Sequence, residues 1–293
     1  MKKYIIAADL GGTKIQVVLA DEKGKCYDHL RIPTDSHLGQ KEIIRKMEDA
    51  ILEIVNNKPA SILSIGICAP GPVDFAKGIV SNPPNLPGWK NVKLGELLKR
   101  KFHVPVMIDN DANCAALAEA KFGAGKGIKN FVYVTISTGI GGGIIIDGKL
   151  YRGAVGAAGE IGHTIMQKNG PLCGCGQHGH FEAMASGTAV QRMFGHSAIE
   201  LSLALKENKQ WAKEALNELA DNIGIGFANV INILNPELII VGGGLSNLGE
   251  KLLKPVRAYV KKYALPLPAS SVKIAKAKLG TKAEVLGAVA LCL

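Results

Sequence analysis

One pattern occurs twice in this chain, once in each half: an apolar strand, a turn of glycine and threonine, and a second strand rich in β-branched residues. The first copy is residues 4–8, the turn Asp9-Leu10-Gly11-Gly12-Thr13, then residues 15–20. The second is residues 131–136, the turn Ser137-Thr138-Gly139-Ile140-Gly141-Gly142-Gly143, then residues 144–146, with Asp147-Gly148 as a hairpin signal into residues 149–151. A dinucleotide-binding loop has to open a helix. Here Gly12 is followed by Ile15, Val17, Val18 and Leu19, so a Rossmann unit is disfavoured. The repeat predicts a duplicated α/β lobe, with a cleft between the copies carrying both turns.

Between and after these copies the periodicity predicts helices at 41–57, 94–101 and from 112 to about 123, with strands at 26–32, 62–68 and 104–108. Asn82-Pro83-Pro84-Asn85-Leu86-Pro87-Gly88-Trp89 is too proline-rich for regular structure. Later helices are expected at 181–194, 197–207 and 210–234, then a strand at 238–241 whose Gly242-Gly243-Gly244 opens another helix. The small-residue segment 280–293 reads as a helix returning to the first lobe. The lobes expected are therefore 1–113 completed by 280–293, and 114–279.

With 293 residues, 47% apolar and 20% charged, the chain has the length and composition of two folded domains. No apolar run approaches the roughly 20 residues of a membrane helix. Residues 4–8 are shorter than a signal-peptide core and run straight into Asp9, so the expectation is a cytoplasmic protein with no membrane partner. The net charge of +10 is spread along the chain. Its densest stretch, 251–262, reads as an amphipathic helix with Leu252, Leu253, Val256 and Val260 inward, which argues against nucleic acid. Cys26, Cys68, Cys114 and Cys292 are expected as buried thiols.

Glycine turns let backbone N–H groups approach phosphate oxygens, and Thr13 and Thr138 add hydroxyl donors. Asp9 is placed to hold Mg²⁺ or to cap its own turn. The Gly242–Gly244 turn suits either an adenine ring or close strand-to-helix packing. Asp111, just past a strand end, is either a general base or the N-cap of the next helix. His163, Cys173, Cys175, His178 and His180 have metal-ligand density, and two Cys with two His suit tetrahedral zinc. Glu160 and Glu182 bracket that cluster, where carboxylates read sugar hydroxyls or lie idle on the surface.

Taken together, these residues resemble the ROK family of sugar kinases and repressors over essentially the whole chain. Asp9-Leu10-Gly11-Gly12-Thr13-Lys14 is similar to the family's first phosphate motif, and Ser137 to Gly143, with Thr138, Gly139 and Gly141, to its second. Asn110-Asp111-Ala112-Asn113 resembles its catalytic motif, and Glu160-Ile161-Gly162-His163 with 173–182 its zinc and sugar signature. The resemblance implies a two-lobed actin-like ATPase fold, related to ribonuclease H, with ATP, Mg²⁺ and structural Zn²⁺. It implies that Asp111 takes the proton of a sugar hydroxyl, usually on C6, and that Gly71, Asn85, Asn110, Glu160, His163 and Glu182 bind the sugar. His163 would serve zinc with one nitrogen and the sugar with the other. His180 stands where the family usually has cysteine; the ligands implied are His163, Cys173, Cys175 and His180, with His178 as a rival.

Glucose is the first expectation, because Glu160 and Ser186-Gly187-Thr188-Ala189 resemble those of the family's glucokinases, with N-acetylmannosamine and fructose as alternatives. A homodimer is implied by resemblance alone. The family's repressors carry a helix-turn-helix ahead of the sugar-binding lobes, whereas only Met1 to Lys3 precede the first strand here, so a kinase is expected rather than a regulator.

Overall fold

The computed structural model describes residues 3–57, 61–83 and 85–293; Met1 and Lys2 ahead of the first strand, and Pro84 of the proline-rich loop, lie outside the described residues. The chain divides into two compact units, Met1–Lys126 with Leu150–Ala158 and Thr281–Leu293, and Gly127–Lys149 with Gly159–Gly280.

The first unit opens with β1 (Lys3–Leu10), β2 (Lys14–Ala20), β3 (Cys26–Pro33), α1 (Gln40–Asn57) and β4 (Ser61–Ala69). The short hairpin β5 (Val73–Asp74) and β6 (Ile79–Val80) follows, then α2 (Leu94–Phe102), β7 (Val106–Asn110) and α3 (Asp111–Phe122). Its sheet has the order β3-β2-β1-β4-β7. β1 and β2, and β2 and β3, are antiparallel, while β1, β4 and β7 run parallel. The parallel strands are nearly continuous apolar runs because helices cover both faces. On α1, Ile43, Met47, Ile51 and Ile54 recur at helical spacing and are fully buried, packing this helix onto the sheet.

The second unit repeats that plan. It contains β8 (Phe131–Ile136), β9 (Ile140–Ile146), the first residue of β10 (Lys149–Tyr151, whose last two residues count with the first unit), α4 (Phe181–Ala185), α5 (Gly187–Phe194), α6 (Ala198–Lys206), α7 (Gln210–Leu234), β11 (Leu238–Gly242), α8 (Glu250–Tyr263), α9 (Pro266–Ser271) and β12 (Lys273–Lys276). The sheet order is β10-β9-β8-β11-β12, with β8 antiparallel to β9 and parallel to β11, and β11 parallel to β12. Leu219, Ile223, Phe227 and Ile231 form the buried face of α7, and the Phe227 ring meets Phe181 edge-on at 6.4 Å. The chain then returns to the first unit as α10 (Ala283–Ala290), packed on α3, β1 and β4. One mixed five-stranded order used twice is the ribonuclease H-like plan of the actin-like ATPases.

Several expectations are corrected. The lobe boundary does not fall at residue 113: α3 crosses it unbroken and packs against α10, so the first unit extends through Lys126. The first turn is shorter than expected because Asp9 and Leu10 pair with Gln16 and Ile15. The second shrinks likewise, since Ile140 to Gly143 pair with β8. The helix expected over 181–194 breaks at Ser186, whose side chain caps α5. Cys26 is exposed and Cys292 half-buried, Cys26 lying at the start of the edge strand β3. The hairpin β5–β6, α9 and β12 were not anticipated; each is six residues or fewer, too short to show a period.

Candidate active site

In the first unit the glycine turn is closed by backbone bonds, Gly11 N to Lys14 O at 2.9 Å and Thr34 N to Thr13 O at 3.0 Å. The buried Thr34 hydroxyl also donates to Gly11 O at 2.6 Å. Sequence reasoning missed Thr34, which gives no local signal because its partner is 23 residues away. Asn85 packs over Gly12 so closely that a Cβ there would lie 2.7 Å from Asn85 Cβ, which leaves only glycine at this position. Likewise, a Cβ at Gly71 would lie 3.2 Å from Asn110 Cβ.

Asp9 is half-buried on β1. Burial, and after it the Glu284 carboxylate, push its carboxyl up to about 6, with Asp111 adding to the rise and Lys14 and a Cys68 hydrogen bond opposing it. Burial, with Asp111 nearby, also raises Glu284 on α10. Three carboxylates answered by one lysine leave a negative surplus that suits a cation.

The position of Asp111 separates its two readings. The N-cap of α3 is Asn110, whose Oδ1 accepts from Asn113 N at 2.7 Å, while Asp111 is the first helical residue. Asp111 Oδ1 accepts from Ala112 N at 2.8 Å. Its side chain keeps a solvent-accessible face, yet desolvation by the surrounding protein raises its carboxyl. A carboxylate freed from capping and made more basic is suited to accept a proton. Asp109, also missed, is buried beside it and paired with Arg152. A charged residue ending the apolar run Val106-Met107-Ile108 was the available signal.

In the second unit α5 docks on the second turn. Gly187 N donates to Ser137 O at 2.7 Å and Thr188 N to Thr138 O at 3.2 Å, and the Thr188 hydroxyl donates to Thr138 O as well. Gly141 lies in β9, paired with Thr135. Gly242 ends β11 and Gly244 begins a 3-10 turn. Gly243 has φ +79° and a Cβ there would lie 2.4 Å from Ile136 O, so the glycine turn lies directly against the strand that leads into Ser137. Thr138, Gly139, Leu172, Cys173, Glu182 and Arg192 contribute to a pocket of about 400 Å³.

His163, Cys173, Cys175 and His180 converge, each offering one ligand atom within 4.8 Å of the others. His163 Nδ1 and His180 Nδ1 are 3.4 Å apart, Cys175 Sγ and His180 Nδ1 3.3 Å, and Cys173 Sγ and His163 Nδ1 3.8 Å. Zn–S of about 2.3 Å and Zn–N of about 2.0 Å give tetrahedral edges of roughly 3.3–3.8 Å, so this donor set fits zinc. His178 lies outside the cluster, its Nδ1 3.0 Å from Gly170 O. His163 Nε2 faces Glu160 at 3.9 Å. Glu182 bridges two elements: Oε2 accepts from Ile140 N at 2.9 Å and Oε1 from the Cys173 thiol at 3.4 Å.

With this geometry in place, comparison with known proteins is informative. Residues 5–293 match the model of the ROK family. The chain is 35% identical to the glucokinase of Thermotoga maritima over 310 residues, covering 99% of this chain and 97% of that one. It is 34% identical to the xylose repressor of Caldicellulosiruptor bescii, covering 99% of this chain and 78% of the repressor. Among solved structures, the ROK family glucokinase of Streptomyces griseus in complex with glucose and AMPPNP superimposes with a TM-score of 0.82 at 32% identity, covering 98% of both chains.

Proposed function

The chain belongs to the ROK family, and from that premise we propose that it is an ATP-dependent sugar kinase transferring the γ-phosphoryl group to a hexose hydroxyl, C6 of glucose first. A kinase is supported by full-length likeness to glucokinases and to one solved with glucose and an ATP analogue. The observation that carries the reading is Asp111: an accessible carboxylate, relieved of capping by Asn110 and raised by desolvation, at the end of the strand leading into α3.

In this reading Asp111 accepts the proton of the sugar hydroxyl, whose oxygen attacks the γ-phosphorus as ADP departs. The turn at Gly11, Gly12, Thr13 and Lys14, and the turn at Thr138 and Gly139 continued by Gly141, offer donors to the phosphates. Gly242, Gly243 and Gly244 lie against the adenine. Asp9 would hold the Mg²⁺ that accompanies ATP, which would supply positive charge beside the phosphates. Asn110 Nδ2, Glu160 and His163 Nε2 read sugar hydroxyls, with Gly71 and Asn85 shaping the pocket. His163, Cys173, Cys175 and His180 would hold a structural zinc ion, which would take both cysteines as thiolates. Glu182 reads a further sugar hydroxyl through Oε1. The same reading makes the protein a cytoplasmic homodimer without nucleic-acid or membrane partners; among the described residues no helix is long and apolar enough to cross a membrane.

The similarity to xylose repressors favours a second reading, a sugar-responsive regulator. Coupled ADP release with ATP and Mg²⁺ across hexoses and N-acetylhexosamines separates the two. Sugar-dependent turnover, fastest with glucose, is expected, with N-acetylmannosamine and fructose as the rival substrates. Sugar binding with no ADP release would replace the kinase by the regulator.

The carboxylates also set a pH limit. Asp9 must be ionised to hold a cation, and its carboxyl sits at about 6, so kcat/KM for MgATP should fall as pH drops through that value. Because its folded pKa lies above the unfolded one, ionising Asp9 costs stability, which declines as pH rises from 3.8 to about 6. Glu284→Gln removes a neighbouring negative charge and should move the acid limb to lower pH. An unmoved limb would show that Glu284 does not act on the titrating group.

A further inference from the structure

Asp109 is a charged residue that the reaction does not call upon, and it is 1% exposed. Its carboxylate is nonetheless fully matched. Oδ1 accepts from Asn110 N and from Asn113 Nδ2, each at 2.8 Å, and Oδ2 accepts from Arg152 Nε at 2.7 Å. The Arg152 guanidinium lies over the Phe75 ring at 3.7 Å, which fixes its plane.

The identity of the partners matters more than their number. Asn110 and Asn113 flank Asp111 on either side, and they are bonded to each other through Asn110 Oδ1 and Asn113 N. Asp109 therefore ties residues 109–113 into one hydrogen-bonded turn that presents Asp111. Arg152 is the cation paired with this buried carboxylate, and its Nε bond directs Oδ2 to itself, leaving Oδ1 for the two asparagines. Without it, the buried carboxylate would lose the donor on Oδ2 and the charge that balances it, and nothing would hold Oδ1 toward the two asparagine donors.

Arg152 also comes from an unusual place. Leu150–Ala158 belongs to the first unit, although the chain on both sides belongs to the second. Ala158 N donates to Arg152 O at 3.0 Å, closing the excursion into a loop, and Glu160 follows two residues later.

We propose that Arg152 is a positioning residue: acting through Asp109, it fixes the Asn110–Asp111 turn in its productive geometry. The consequence for catalysis rests on the kinase reading above. A displaced base costs turnover more than nucleotide affinity, so Arg152→Met should lower kcat roughly 10- to 100-fold while the ATP KM moves less than about threefold. Arg152→Lys keeps the charge and should recover much of the lost kcat. If Arg152→Met lowers Tm but leaves kcat per folded molecule intact, the pair is merely structural and the proposal fails. It fails also if Arg152→Lys is as slow as Arg152→Met, and, should Arg152→Met not fold, if Arg152→Lys loses kcat as heavily as a removed base. Amide hydrogen exchange on the free protein provides an arm that needs no substrate. Faster exchange at Asn110 and Asn113 in Arg152→Met, with the protection of α1 unchanged, is expected; unchanged exchange overturns the positioning role. An inactive wild-type protein would sink the kinase reading, and the exchange result would still decide the role of Arg152.

Discussion

Asp111→Asn is expected to lower kcat by about 10² to 10⁴, the usual cost of removing a general base, with sugar and ATP still bound. The substitution is close to isosteric, and the amide oxygen can still accept from Ala112 N as Asp111 Oδ1 does. The cap of α3 is carried by Asn110, so the helix start is untouched. What disappears is the only group in that turn able to take the hydroxyl proton while facing solvent. The change also removes one of the carboxylates raising Asp9 and Glu284, so both should ionise more readily and nucleotide affinity should not suffer. Steady-state kinetics with direct binding of both ligands tests this. A variant retaining most of its kcat would remove Asp111 from the chemistry, and lost sugar binding would recast it as a substrate ligand.

The second large effect concerns the metal. Cys175→Ser is expected to lose about one equivalent of zinc per chain and to raise the sugar KM about 10- to 100-fold, at least the scale seen when groups supporting a metal site are changed. Cys175 Sγ is 3.3 Å from His180 Nδ1, and a neutral hydroxyl there supplies neither charge nor softness. His163 would lose the ion that orients its ring, and with it the direction of Nε2 toward Glu160 and the sugar. The ATP KM should change less, because the Ile140 N to Glu182 Oε2 bond does not depend on the metal. His178→Ala should keep both zinc and sugar affinity, since His178 is engaged with Gly170 O outside the cluster. Elemental analysis beside kinetics decides it: full zinc in Cys175→Ser would remove that ligand, and zinc lost from His178→Ala would return His178 to the set.

How far the sequence disclosed this molecule depended on how local each signal is. The strand–turn–strand repeat is a local pattern, and it led to the correct fold class. The apolar spacing on α1 and α7 was equally legible, because a helix of 18 or 25 residues contains several turns of its own period. The ends of β1 and β9 were not. Asp9 and Ile140 join strands because of what lies across the ladder, Gln16 and Ile136 respectively, and nothing in the neighbouring letters announces those partners. The break at Ser186 was hidden for the reverse reason: the apolar pattern continues, and only the capping bond to Ala189 N ends one helix and starts the next. At the site, Asp111, Glu182 and the Cys/His loop stood out as types at telling spacings. Thr34, Asp109 and Glu284 did not, since each matters through partners brought together only by folding.

The interrupted path of the chain has a consequence for synthesis. The first unit is built from three stretches, the last being Thr281–Leu293, whose α10 lies on α3, β1 and β4. A ribosome therefore releases every residue of the second unit before it releases the helix that covers the first. During that interval, roughly ten to thirty seconds at 5 to 20 residues per second for the stretch after α3, the apolar side of α3 has no cover. The nascent first unit must wait in a partly assembled state, with the Cys114 carbonyl of α3 lacking Gly287 of α10, which lies directly against it in the finished molecule. Domain-by-domain folding from the N-terminus is thus closed to this protein: the half that begins first is completed last.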